Sequence, residues 1–409
     1  MGREKIKVRS IFLWVVLVII LVVALVNIYK LKAENTLIKE DMETKIDENV
    51  QIAADTLNAE FENEKTSAYE NLELVYMYSP YFYYELRWIA DNQAESGAIY
   101  INAMTEGGSL DVNPYFSCRA ARALLLDDYY IPKVSAYLNW HTSKVIETNG
   151  LVTNYRYNSD EETLISTGKY DSTDSYLAEY LMLLCEYCNA GGTVSDISNY
   201  EQAVEISVNY LESLMKNGLT VTKIDSDDIY FMDNVEVYYA LKLISETFPD
   251  KSYGIKAKTL SETSYSRIIE EFYNEEDNSF KTGIFASSGE TMEFDDTRLY
   301  PCGIAQLYAV IYDLGLSDEK KKNLYDKFCE KYSWTDVTDK SGTFDYPMIA
   351  VAALEVGDIE RARAYIDSFE NAYQNDRTYP FYVGAAGWVA IAEKKLINNY
   401  DSYVEDFFD

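Results

Sequence analysis

Apolar and polar positions fall into three regimes along this 409-residue chain. The first is an uncharged run, IFLWVVLVIILVVALVNIY, over residues 11–29. As a helix it would rise about 28 Å, close to the thickness of a bilayer's hydrocarbon core. Arg3, Lys5, Lys7 and Arg9 precede it, and Lys30 and Lys32 follow it. The heavier basic flank predicts an N-terminus inside the cell and the remainder outside. A cleaved signal peptide is the competing reading. The run outlasts a usual signal's apolar stretch and no A-x-A site closes it, so an uncleaved anchor is expected.

The second regime is highly charged. Its apolar residues Leu37, Ile38, Met42, Ile46, Val50, Leu57 and Phe61 recur at spacings of three, four and seven, which predicts a stalk helix. Such a stalk leaves room for a partner protein, although the spacing is too irregular for a regular heptad seam.

The third regime reads as helices of two alternating kinds. Segments 113–125, 172–188, 235–244, 303–312, 348–354 and 384–392 are apolar almost all round, so each must be buried on every side. Segments 67–92, 131–148, 195–214, 253–273, 318–332 and 358–372 are amphipathic, with one stripe inward and one in water. Turn pairs recur after the second kind: Asn149-Gly150, Asn217-Gly218, Asn278-Ser279 and Ser341-Gly342. Asn and Gly tolerate the left-handed backbone that stops a helix. Six inner helices ringed by six outer ones predict an all-α, closed (α/α)6 toroid. Its long connectors all run from outer to inner helix, so they gather on one face, where a site would be built. The organisation expected is a basic cytoplasmic tail at 1–10, a transmembrane anchor at 11–29, a helical stalk at 30–66 and the toroid at 67–409.

Charge and rare residues narrow the chemistry. Asp plus Glu number 68 against 36 Lys plus Arg, a net charge of −32. No basic field exists for nucleic acid, and an anionic membrane surface would repel the body of the protein. A single histidine, His141, rules out sites built on two. The five cysteines are odd in number, and the Cys185/Cys188 pair sits in an apolar helix without partners for zinc, so they read as buried hydrophobes. The acids from Asp225 to Glu236 look faintly like a calcium loop, but Tyr230 stands where the obligatory glycine would be. No metal or cofactor is expected.

Several motifs open the inner helices: Tyr170-Asp171-Ser172-Thr173-Asp174-Ser175-Tyr176, Met232-Asp233-Asn234-Val235-Glu236, Tyr300-Pro301, Phe344-Asp345-Tyr346-Pro347 and Tyr379-Pro380-Phe381. With the hairpin pattern over about residues 67–395, the chain resembles the six-hairpin, (α/α)6-toroid glycosidase superfamily. That resemblance implies sugar-binding and catalytic residues at these helix starts. The DSTDSY segment resembles in kind the aspartate-rich helix start of family 8 glycoside hydrolases and of unsaturated glucuronyl hydrolases. The superfamily also holds epimerases, lyases and phosphorylases. One histidine weighs against the first two of these.

A glycosidase needs one carboxyl group that donates a proton and a second that activates water or attacks the sugar. The candidates are Asp171 and Asp174, paired with Asp233 and Glu236. The same spacing fits capping boxes, with Asp171 at N-cap and Asp174 at N3. Tyr170, Tyr176, Asp296, Tyr300, Asp345, Tyr346 and Tyr379 are candidates for binding a sugar, whose apolar C–H face suits an aromatic ring. Asp296 has a bland alternative in helix capping beside Arg298, and most of the 38 tyrosines must be packing. The expectation is an anchored extracytoplasmic hydrolase of a carbohydrate polymer. The alternatives are a glycan-binding toroid without catalysis and a polysaccharide lyase.

Overall fold

A computed structural model describes residues 21–22, 65–103, 110–337, 346–373, 377–378 and 380–406. The chain divides into two units, 1–73 and 74–409. Apart from residues 21–22 and 65–66, the expected anchor and stalk lie outside the described residues. Among the described residues no helix is long and apolar enough to cross a membrane.

Outer and inner helices alternate through the second unit, whose first helix begins upstream of it. The outer set is α1 (Lys65–Asp91), α3 (Ile131–Glu147), α5 (Tyr200–Leu214), α7 (Ser252–Phe272), α9 (Asp318–Lys331) and α11 (Ile359–Tyr373). The inner set is α2 (Pro114–Leu124), α4 (Thr173–Asn189), α6 (Phe231–Thr247), α8 (Ile304–Ile311), α10 (Met348–Glu355) and α12 (Val383–Asp406). Each inner helix packs on the next, and α12 packs back on α2, which closes the ring. Closure needs close approach: a Cβ on Gly387 would lie 2.9 Å from the Arg119 carbonyl oxygen of α2. All-round apolar surface follows from this position. Leu177, Met182 and Leu183 of α4 are all fully buried, although they point to different sides of the helix.

The all-α expectation misses short strands, nine among the described residues, all in the outer-to-inner connectors. Strands β1 (Asp111–Val112), β2 (Tyr155–Asn158) and β3 (Thr163–Ser166) form one antiparallel sheet. Strands β4 (Met215–Lys216) and β5 (Leu219–Thr220) form a hairpin, as do β7 (Tyr273–Asn274) and β8 (Ser279–Phe280). Strand β6 (Asp228–Tyr230) pairs with β9 (Gly283–Phe285). Pairs β1–β2 and β6–β9 each tie two successive connectors together, so the connectors do share a face. The turn pairs divide accordingly. Asn149 (φ 49°) and Gly150 (φ 93°) stop α3, with the Gly150 N–H donating to the Val145 carbonyl. Asn217 (φ 54°) and Gly218 (φ 84°) instead turn the β4–β5 hairpin, because two left-handed residues match its strand twist. Ser341-Gly342 lies outside the described residues.

Candidate active site

The connector face brings the starts of α4 and α6 together. The expected capping boxes are absent. Ser172, not Asp171, is the N-cap of α4, and its hydroxyl caps nothing on that helix. It lies 2.8 Å from Asp174 Oδ1 and 2.6 Å from Asp233 Oδ2. The N-cap of α6 is Tyr230, which puts Asp233 one turn inside.

The four candidate acids therefore occupy different environments. Asp171 is exposed, and Asp233 is half-buried. Asp174 and Glu236 are fully buried. Asp174 Oδ1 also accepts the Ser175 N–H at 2.9 Å, and Oδ2 accepts the Thr220 hydroxyl at 2.7 Å. Burial pushes its pKa up to about 6, against the pull of those hydrogen bonds. Burial, and then the Asp174 charge, push Asp233 up to about 8. Asp233 thus keeps its proton to higher pH than Asp174.

Glu236 lies deeper still. Its Oε1 accepts hydrogen bonds from Tyr115 at 2.8 Å, Tyr308 at 2.9 Å and the Arg119 guanidinium. Burial raises its pKa to about 7, and Arg119 opposes the rise. Arg119 also meets Glu179 at 3.0 Å, Arg122 meets Glu179 at 3.3 Å, and Arg122 pairs with Glu186 at 2.7 Å. This ionic network crosses the inside of the ring from α2 through α4 to α6. Asp174 and Glu236, both expected to be catalytic, are thus fully buried and bonded to protein groups. The spacing that put Asp174 three residues after Asp171, and Glu236 three after Asp233, turns each second acid inward by one helical turn.

The aromatic candidates fall out as follows. Tyr300, exposed after a cis Tyr300–Pro301 peptide, stacks on Tyr346 with ring centroids 5.6 Å apart and planes 5° apart. Tyr300 lies near enough to Asp233 and Asp171 for both charges to raise its phenol pKa, after burial. Tyr176 is buried. Its hydroxyl donates to Asn154 at 2.9 Å and accepts from Asn113 at 3.1 Å, which joins α4 to the connectors before α2 and α4. Tyr170 is half-buried, with the Lys223 ammonium 6.0 Å from its ring. Asp296 points to the outer ring instead, pairing with Lys331 of α9 at 2.7 Å. Its expected contact with Arg298 falls to Asp295 at 4.0 Å. Asp345 and Tyr379 lie outside the described residues.

No protein-family model matches the chain, and no curated protein matches its sequence. Solved structures match it in fold. A glycosidase superposes with a TM-score of 0.57 at 10% identity, over 79% of this chain and 97% of its own. A metal-independent α-mannosidase from Streptococcus pneumoniae, solved with α-1,6-mannobiose, gives 0.54 at 13% identity over 83% and 98%. An inactive variant of an α-1,6-mannanase from a Salegentibacter species, solved with α-1,6-mannotriose, gives 0.50 at 11% over 78% and 99%. The shared fold is that of toroid glycosidases.

Sequence reasoning missed Ser172 as a bridge, Thr220 as a donor, and the whole Arg119–Glu179 network. A signal for the network was present. Arg119, Arg122, Glu179 and Glu236 sit in helices otherwise apolar on all sides, and a charge in such a helix requires a buried counter-charge. The isolated histidine gives no lyase base: His141 is fully buried, 3.4 Å from the Cys118 sulfur, and burial lowers its pKa to about 3. In the acidic connector that only faintly resembled a calcium loop, Asp227 accepts the Ser287 N–H at 2.7 Å and its hydroxyl at 2.6 Å.

Proposed function

We propose that this chain is a glycoside hydrolase acting on a carbohydrate polymer, with Asp233 as proton donor. The observation that carries the reading is Asp233 itself. It is a half-buried carboxyl group that holds its proton through neutral pH, on the connector face of a toroid shared with glycosidases. A general acid must be protonated at working pH and reachable by the glycosidic oxygen, and of the three raised acids only Asp233 is not fully buried. Asp171, exposed beside it, is the group placed to act on water or on the sugar. The Tyr300–Tyr346 stack offers an aromatic face to the ring. The acidic surface suits a neutral or basic glycan better than a polyuronate. In the same reading residues 11–29 anchor the enzyme in the cell membrane, N-terminus inside, and the toroid works outside on a surface or secreted polysaccharide. The stalk at 30–66 offers a site for a partner protein.

A second reading has one observation in its favour: two of the four candidate acids are buried supports, as in a toroid that binds glycan without cleaving it. The full chain, incubated with a panel of bacterial surface polysaccharides and assayed for new reducing ends, separates the two. The hydrolase reading expects release that Asp233→Asn abolishes. Binding without release, retained in the variant, overturns it in favour of the binder.

A further inference from the structure

We propose that Ser172 is a positioning residue that makes Asp174 and Asp233 hold one proton between them, donating its hydroxyl hydrogen to the ionised carboxylate and accepting from the carboxyl group that keeps the proton. This rests on the hydrolase reading of Asp233 but adds a residue and a linkage to it. A serine hydroxyl has one hydrogen and two acceptor lone pairs. It lies 2.8 Å from Asp174 Oδ1 and 2.6 Å from Asp233 Oδ2, both within hydrogen-bond range. One of these contacts uses the serine hydrogen. The other is a hydrogen bond only when the second carboxyl group brings its own proton. The arrangement Asp–O–H···O(H)–Ser···carboxylate satisfies every atom when the pair carries a single proton, and leaves a contact unfilled when it carries none.

Asp174 is the member suited to ionisation. It accepts from the Ser175 N–H and from Thr220 as well as from Ser172, and an anion favours several donors. Asp233, half-buried, keeps the proton and faces the cleft. The position of Ser172 supports the assignment. A serine at an N-cap ordinarily accepts a backbone N–H of its own helix, and here that bond is given up. The hydroxyl instead joins α4 to α6. The other ionisable groups facing the pair are Asp171 from the connector before α4, Glu236 from α6, Tyr230 before it, and Tyr300 from the connector before α8. None of these groups is a cation, so the shared proton is what keeps two neighbouring carboxyl groups together.

The test uses the full-length protein with carboxyl-labelled aspartate, titrated by carbon NMR, in wild type, Ser172→Gly and Ser172→Thr. Glycine keeps a good N-cap while removing the hydroxyl, and threonine keeps both. In the wild type the pair should titrate in two separated steps. In Ser172→Gly the steps should draw together by about one pH unit, since the singly protonated state loses its bridge. Ser172→Thr should restore the separation. Unchanged titration in Ser172→Gly, or an equal shift in both variants, overturns the proposal and leaves Ser172 a helix start only. Because the titration does not depend on turnover, a chain that cleaves no glycan yet shows the shift keeps the linkage and loses the hydrolase reading. A chain that cleaves glycan with unshifted titration does the reverse.

Discussion

Two groups of acids lie inside this ring, all buried but the half-buried Glu186, and they are built differently. Beneath the cleft, Glu179, Glu236 and Glu186 share Arg119 and Arg122, and tyrosine hydroxyls serve Glu236 as well. At the seam where the last hairpin meets the first, Arg377 pairs with Glu85 of α1, lies 3.9 Å from Glu370 of α11 and lowers the pKa of Glu393 of α12 through its charge. Arg377 is spent on Glu85, to which it donates at 2.7 Å through Nη1 and again through Nη2. Among the described residues no nitrogen or hydroxyl donates to Glu370 or Glu393. Burial raises both carboxyls well above their usual range, and neighbouring carboxylates add to the rise. The comparison teaches that a raised pKa does not by itself mark chemistry. The seam acids have nowhere to send a proton, whereas Asp233 is half-exposed and looks onto the connector face.

The strongest way to break the comparison is to remove the proton from each place. Asp233→Asn is expected to lower turnover by about 10²- to 10⁴-fold, while Glu393→Gln leaves turnover as it was. Initial rates of reducing-end release on a cleaved glycan measure both. The pH profile should agree. A general acid works only while protonated, so the rate should fall as pH rises through about 8, the value to which Asp233 is pushed.

Next in size is stability. Arg377→Met removes the one cation found beside three buried carboxyl groups among the described residues, and a broken buried pair costs about 3–5 kcal/mol. Arg119→Met should cost less, because Glu179 keeps Arg122 and Glu236 keeps two tyrosines. Urea unfolding at neutral pH gives both numbers, and equal losses would erase the distinction between the networks.

Much of this arrangement was legible beforehand, and its limits have physical causes. The helices could be read because a helix buried on all sides and one buried on a single stripe leave different patterns, and α2 and α4 kept theirs from end to end. The ring followed from their alternation. Asp233 was legible from its place at a helix start. Its partner was not, because contact between Ser172 and Asp233 spans two helices, and a polar N-cap looks the same whichever way its hydroxyl turns. The strands were missed for a similar reason. At two to four residues each they carry no period, and β6 exists only because β9 arrives beside it.

A smaller effect sharpens the seam. Unfolded, a glutamate titrates near 4.3, but folded Glu393 holds its proton to higher pH. The folded state therefore binds the extra proton. The stability this gives is complete below the unfolded value and is lost as pH rises toward the folded one. Glutamine cannot lose that proton. Glu393→Gln should raise the melting temperature at pH 8 more than at pH 5, and a uniform shift across pH would show that the carboxyl group is not the titrating element.

The smallest effect expected is at the rim. Tyr300 is 52% exposed and its ring lies parallel to Tyr346, so little of the core depends on it. If the pair stacks on sugar, Tyr300→Ala removes one aromatic face worth about 0.5–1.5 kcal/mol, which is a rise of roughly 2- to 12-fold in KM. Turnover at saturating glycan should stay close to wild type, because the ring touches the sugar equally before and during bond breaking. Tyr300→Phe should keep the stack and most of the affinity. A fall in kcat with KM unchanged would instead bring Tyr300 into the proton chemistry beside Asp233 and move the boundary between platform and acid.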